Sequence, residues 1–170
     1  TGQKCTAIRR IIVPENLVED VQFALSARLK KTTIGDPQAE GVRMGSLASH
    51  EQMNEVIKSA KLLSQENELV YGSFERDFEV IGADINKGAF LAPMLFLNDN
   101  PFQKTEVHSI EAFGPISTIM PYKNIDEAVE LANMGKGSLV SSIATYDDTI
   151  ARNYVLGAAT HHGRILVLNR

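Results

Sequence analysis

Apolar positions along the chain fall into short extended runs separated by longer stretches of helical period. Arg9 to Val13 reads as a buried strand ending at Pro14. From Glu15 to Lys31 the positions Leu17, Val18, Val21, Ala24, Leu25 and Leu29 recur at helical spacing. Gly35-Asp36-Pro37 breaks that pattern, and a polar loop is expected to about Leu47. Ser49 followed by Gln52 is a capping-box signature, and the helix it opens carries Met53, Val56, Ile57, Ala60 and Leu63 on one face.

Leu69-Val70-Tyr71 is a short strand candidate, followed by a polar connection from Gly72 to Lys87. Gly88 to Leu97 is apolar and extended, with Pro93 arguing against one regular central strand over its whole length. Asn98 to Ser109 is expected to be loop. Ile116 to Met120 is strand-like, and Asn124 with Glu127 caps a helix through Asn133. Leu139 to Thr145 reads as a strand, Asp147 caps a helix to about Ala159, and Arg164 to Leu168 is the last strand. Strands alternating with helices predict an α/β architecture in three layers, a mostly parallel sheet with helices on both faces.

Composition narrows the function classes. The 170 residues are 44% hydrophobic and 22% charged, which suits one globular domain with a substantial core. A formal net charge of -4 leaves no basic footprint, so no nucleic-acid partner is expected. The apolar runs are too short to span a bilayer, and no signal-peptide pattern opens the chain, so no membrane partner is expected. One unpaired cysteine suits a reducing compartment, and the cytoplasm is the default expectation. His50, His108, His161 and His162 lack metal-ligand spacing, so no metal site is expected. His161 and His162 fall where a helix is expected to end, a position that favours an imidazolium. The chain opens without methionine and closes as a strand-like run finishes, so both ends read as cuts within a longer polypeptide.

The candidate chemistry gathers at the start. Cys5 follows Gly2-Gln3-Lys4 and precedes Thr6-Ala7-Ile8-Arg9. A free cysteine is often simply buried. If residues 6 to 9 formed a first helical turn, its free N–H groups would lower the thiol pKa and hold a developing oxyanion. Gly2 and Gln3 read as shapers of the loop. Much further along stands Glu111-Ala112-Phe113-Gly114-Pro115. A plain turn, with Phe113 packed and Gly114-Pro115 ending an element, would account for those residues as well.

Gly2-Gln3-Lys4-Cys5 resembles the Gly-Gln-x-Cys nucleophile motif of the aldehyde dehydrogenase superfamily, and Glu111-Ala112-Phe113-Gly114-Pro115 resembles its Glu-x-Phe-Gly-Pro motif. Both stand in the right order, at about the right separation. Residues 2 to 14, the Glu111 motif and His162-Gly163-Arg164-Ile165 are similar to the branch that forms the dehydrogenase half of bifunctional ring-opening proteins of phenylacetate degradation. The resemblance covers essentially the whole chain. It implies that residues 1–170 are a truncated catalytic, cysteine-bearing domain, with the cofactor-binding domain elsewhere.

It further implies NAD(P)-dependent oxidation of an aldehyde through a cysteine thiohemiacetal and thioester. Cys5 would be the nucleophile, and Glu111 would bind the ribose hydroxyls beside nicotinamide, a task suited to an acid. Phe113 would lie near the nicotinamide ring, and His161-His162 on the substrate side. The branch points to NADP, with NAD as the other choice, and to a ring-opened semialdehyde carried on coenzyme A. In the family the water-activating glutamate and an oxyanion asparagine lie upstream of the cysteine, so this piece would hold half a site and turn over no aldehyde alone. A homo-oligomer is expected for the longer protein. Two other readings stand beside this one. A cysteine hydrolase or acyltransferase would need a histidine next to Cys5, and a non-catalytic module would keep only subunit association.

Overall fold

The computed structural model describes residues 1–169. Its main sheet has four strands, β1 (Arg10–Pro14), β2 (Glu68–Tyr71), β3 (Met94–Leu97) and β4 (Ile116–Tyr122), in the order β1-β4-β3-β2. β4 lies parallel to both β1 and β3, with Ile12 opposite Met120 and Phe96 opposite Thr118. β2 closes the edge antiparallel to β3 and carries an irregularity between Leu69 and Tyr71. Alternation along β3 sends its side chains to two separate cores. Met94 and Phe96 join Met53, Val56, Ala60 and Leu63 of α2 (His50–Leu63) on one face. Leu95 joins Val13 and Ile119 under Val18, Val21, Leu25 and Leu29 of α1 (Val18–Leu29) on the other. Burial on both faces is what a central parallel strand requires, and Met94, Leu95 and Phe96 are each at most 1% exposed.

A second sheet pairs β5 (Ser138–Ala144) with β6 (His162–Leu168) in parallel. It packs through Ile143 and Ile165 on α4 (Ile125–Asn133) and α5 (Asp148–Ala158), and Ile12 of β1 reaches the same cluster. Helices therefore cover both faces of a mostly parallel α/β core, as the chain pattern predicts, although the strands divide between two sheets.

Local chemistry explains the helix starts. The Ser49 hydroxyl accepts the Gln52 N–H at 3.1 Å, and the Asn124 side chain accepts the Glu127 N–H at 3.0 Å. Asp147 Oδ1 accepts from both Thr149 and Ile150, at 2.8 and 3.1 Å. Each satisfies donors that the first turn leaves free. The Gln52 side chain does not complete a capping box; it meets the Gln3 side chain instead. The helix expected from Glu15 begins as a 3-10 turn over Glu15–Leu17 before α1 proper.

Two loops differ from expectation. Within residues 98–109, a short helix α3 (Glu106–Ser109) replaces irregular chain. It is prepared by fully buried Asn98, whose amide donates to the Lys104 carbonyl at 2.8 Å and accepts the Asn100 N–H at 3.0 Å. The polar connection after β2 is organised by Arg76, whose guanidinium donates to the carbonyls of Ile85, Gly88 and Phe90 at 2.6, 3.0 and 3.1 Å.

Removing the double cap on α5 by Asp147→Ala is expected to cost about 1 kcal/mol of unfolding free energy. Urea titration of the two proteins measures it, and a change below a few tenths would assign the α5 start to packing alone.

Candidate active site

The nucleophile candidate does not sit at a helix start. Residues 4–7 form a single turn closed by the Ala7 N–H on the Lys4 carbonyl at 2.9 Å, and the chain then runs without helix into β1. The turn expected over Thr6 to Arg9 is overridden because this stretch lies against β4. There the Thr118 N–H donates to the Arg9 carbonyl at 2.9 Å and the Ser117 hydroxyl donates to the Ile8 carbonyl at 2.8 Å. Cys5 is exposed and free, the second residue of the turn. Helix-dipole activation of its thiol is thereby withdrawn.

The structure brings the two sequence motifs together. Gly2 has φ +74° and rests on the Gly114-Pro115 backbone so closely that a Cβ on it would lie 2.1 Å from the Gly114 carbonyl oxygen. Only glycine fits there. Gly114 is squeezed from its other side as well, since a Cβ on it would lie 2.6 Å from Val56 Cγ1 of α2. Gln3 ties the same loop sideways, accepting the Ala48 N–H on Oε1 at 2.8 Å and meeting Gln52 with its amide. Gly2 and Gln3 are thus the loop shapers expected of them.

A cleft opens along this junction. Gly2, Lys4, Ala7, Ile8 and Arg9 line one wall, and Ile110 to Gly114 line the other. Cys5 stands in the chain between two lining residues, Lys4 and Ala7. Glu111 is exposed on the opposite wall and, among the described residues, makes no ion pair. Phe113 is 43% exposed and sits at φ 51°, a left-handed conformation that costs a non-glycine residue about 1–2 kcal/mol. Its ring is therefore presented to the cleft by a strained bend and is not packed away as a plain turn would have it.

The histidines have other partners. His50 Nε2 faces the Lys87 carbonyl, and His161 Nδ1 faces the Thr160 hydroxyl. His108 is buried, its Nε2 donating to the Pro101 carbonyl at 2.8 Å, which leaves Nδ1 to accept from Arg10 at 3.1 Å. His162 opens β6, both ring nitrogens enclosed without a hydrogen-bond partner. None of these contacts reaches Cys5, so the base a cysteine hydrolase requires is not formed among the described residues. Nor do those residues gather three metal-ligating side chains. No helix among them is long and apolar enough to cross a membrane.

Charge at the back of the site is governed by burial. Burial, reinforced by neighbouring Arg9, brings the Arg10 guanidinium down to about 10, still charged at neutral pH. Burial first, then Arg10 and Arg9, depress the His108 imidazole against the opposing pull of the Pro101 carbonyl. His162 is lowered in turn by burial, Arg10 and His161. No local pattern marks Arg10 or His108, because their pairing joins residues 98 positions apart.

With fold and cleft in view, comparison with known proteins identifies the class: residues 1–163 match the aldehyde dehydrogenase family, and the chain belongs to it. Among the relatives it resembles is a 3,4-dehydroadipyl-CoA semialdehyde dehydrogenase of Aromatoleum evansii, 40% identical over 99% of this chain and 33% of the relative. Protein MaoC of Klebsiella aerogenes is also 40% identical, over 74% of this chain and 36% of its own. Among solved structures, HpcC of Thermus thermophilus superposes with a TM-score of 0.87 at 26% identity, covering 99% of this chain and 32% of that one. The chain thus spans about a third of the relatives' length.

Two measurements probe this site. Gly114→Ala forces a methyl group into Val56, and overpacking of this kind is expected to destabilise by about 1–3 kcal/mol. In a double-mutant cycle with Val56→Ala the two effects should couple by about 1 kcal/mol or more; strict additivity would remove Val56 as the constraint. The second concerns pH. His108 and His162 bind protons less readily folded than unfolded, so their contribution is complete above about pH 6.5 and is lost as pH falls below it, at up to about 1.4 kcal/mol per pH unit for each proton. Asp99, lowered mainly by its hydrogen bond to Lys104, acts only at more acid pH. The urea midpoint should be flat from pH 8 to 7 and decline from 6.5 to 5, with a smaller decline in His108→Asn.

Proposed function

We propose that the protein carrying this chain oxidises an aldehyde to a carboxylic acid with a nicotinamide dinucleotide, Cys5 serving as the nucleophile. The observation that carries this reading is the seating of Gly2 on Gly114, which sets the Cys5 turn and the Glu111 segment on one cleft. Family membership and the aldehyde dehydrogenases among its relatives support it.

The cleft residues suit a nicotinamide riboside. Glu111 offers an exposed carboxylate that can accept from ribose hydroxyls, and the half-exposed Phe113 ring offers an apolar face to a planar one. When bound, the nicotinamide supplies the hydride acceptor. The Cys5 thiolate adds to the aldehyde carbon, and the carbonyl electron pair moves to oxygen. When that pair collapses back, the carbon-bound hydrogen departs with its electrons and leaves a thioester on Cys5. Water then cleaves the thioester, releasing the acid and the thiol. We assign the base that activates this water, and an oxyanion donor, to parts of the protein beyond these 170 residues, since the relatives are about three times as long. On its own the chain is expected to turn over no aldehyde.

For substrate, the reading favours a semialdehyde carried on coenzyme A, the substrate class in the name of the Aromatoleum relative. For cofactor it favours NADP over NAD, on the resemblance to the phenylacetate-type branch; among solved structures, a succinic semialdehyde dehydrogenase of Streptococcus pyogenes, 25% identical with a TM-score of 0.83 over 98% of this chain and 34% of its own, was solved with NADP+, and a betaine aldehyde dehydrogenase of Staphylococcus aureus with NAD+. We read the assembly as a homo-oligomer in the cytoplasm, with exposed Leu139, Leu166 and Leu168 of the second sheet available for association.

In the full-length polypeptide, Cys5→Ser should lower aldehyde oxidation by at least about a thousandfold, as loss of a covalent nucleophile does. Glu111→Gln should raise KM for the nucleotide about tenfold while leaving Cys5 alkylation by iodoacetamide unchanged. Steady-state kinetics with NADP and NAD reads both, and a Cys5→Ser protein of undiminished rate would end the proposal.

A further inference from the structure

A single side chain links the strand that follows the Cys5 turn to the short helix that precedes Glu111. Arg10 opens β1, five residues after Cys5, and its half-buried guanidinium makes three contacts. Nη1 donates to the Leu131 carbonyl at 2.7 Å, Nη2 to the Ala132 carbonyl at 2.9 Å, and Nη1 also to His108 Nδ1 at 3.1 Å. Leu131 and Ala132 belong to the last turn of α4, whose free carbonyls and negative dipole end welcome a cation. His108 belongs to α3, three residues before Glu111. One cation therefore ties the foot of the Cys5 loop to the foot of the Glu111 segment and anchors both to a helix end. Arg9 adds a longer tie, its Nη1 donating to the Ile110 carbonyl at 3.3 Å.

Three details fit this arrangement. Among the described residues Arg10 has no carboxylate partner, so carbonyls and an imidazole are what hold the charge. Gly135 leaves the space the guanidinium occupies, since a Cβ there would stand 2.4 Å from Nη2. The imidazole is committed to its role because Nε2 donates to the Pro101 carbonyl, keeping Nδ1 as an acceptor. A lysine ammonium lacks the spread, planar fork of donors with which the guanidinium meets two carbonyls and an imidazole at once.

We propose that Arg10, with His108 as its acceptor, is the positioning residue of the candidate active site, setting Cys5 against the Glu111 segment without touching substrate. It rests on the oxidation reading above only for its kinetic arm. The charged and titratable groups facing the pair are Arg9, just before the same strand, Tyr154 of α5, and His162, the first residue of β6, itself beside His161.

The test uses the full-length polypeptide with Arg10→Lys and His108→Asn, the latter keeping an acceptor near the Nδ1 position. Asp147→Ala, at the remote start of α5, serves as a control that loses stability without touching the pair. For each folded variant one measures the iodoacetamide rate at Cys5, read by peptide mass, together with kcat and KM. The expected result for Arg10→Lys is a kcat at least tenfold lower, KM for the aldehyde within twofold, and a Cys5 alkylation rate changed at least threefold. His108→Asn should retain most of both, and Asp147→Ala all of both. If Arg10→Lys matches Asp147→Ala in kcat and alkylation, Arg10 is a stabilising clamp and the proposal is overturned. Should Arg10→Lys fail to fold, His108→Leu, which offers no acceptor, decides by the same readouts. Retained oxidation in Cys5→Ser would defeat the nucleophile reading alone, and the alkylation comparison would still decide the placement.

Discussion

The close approach of Gly2, Gly114 and Val56 is the constraint on which the site depends. Two backbone segments more than a hundred positions apart touch without an intervening side chain, and a buried valine of α2 sets how far they can retreat. Because α2 is itself locked by Met53, Ala60 and Leu63 against β3, the position of the cleft walls is inherited from the main core. Hydrogen bonds from β4 to the Ile8 and Arg9 carbonyls then fix the remaining freedom of the first loop. The cleft is thus a seam between sheet and helix, with the Cys5 turn and Glu111 on its two sides.

Much of the fold was legible because its signals are local. Ser49, Asn124 and Asp147 announce helix starts through side chains that bond within their own first turn, and each does so. The run from Met94 to Leu97 is apolar at every position because both faces of its strand are covered, and Pro93 marks where the ladder begins. What the chain concealed depends on distant partners. Thr6 to Arg9 has residues tolerable in a helix, but β4 claims the Ile8 and Arg9 carbonyls. The α3 turn is too short to carry a period, and it exists because buried Asn98 folds the preceding loop beneath it.

The site was legible to a similar extent and for a different reason. Glycine next to glutamine and cysteine, and glycine before proline, are motifs whose physical content is close backbone contact, and the structure shows that contact between them. The polar framework was not legible. Neither Arg76, bridging three carbonyls, nor Arg10, bridging α4 to α3, is marked in sequence by a local pattern that names its partners. Periodicity cannot reveal a guanidinium that serves as a backbone cap for another element.

The left-handed bend at Phe113 has a consequence for how this surface tolerates change. At φ 51° the backbone favours glycine, asparagine or aspartate, while the position carries a half-exposed phenyl ring on the cleft wall. No residue type combines that backbone and that ring without strain. Exchanges to branched aliphatic residues would pay twice, in sterics and in lost ring area, whereas asparagine would relax the chain and give up the ring. The repertoire open to this position is therefore narrow, and it is narrowed by backbone geometry as much as by whatever the ring is there to meet.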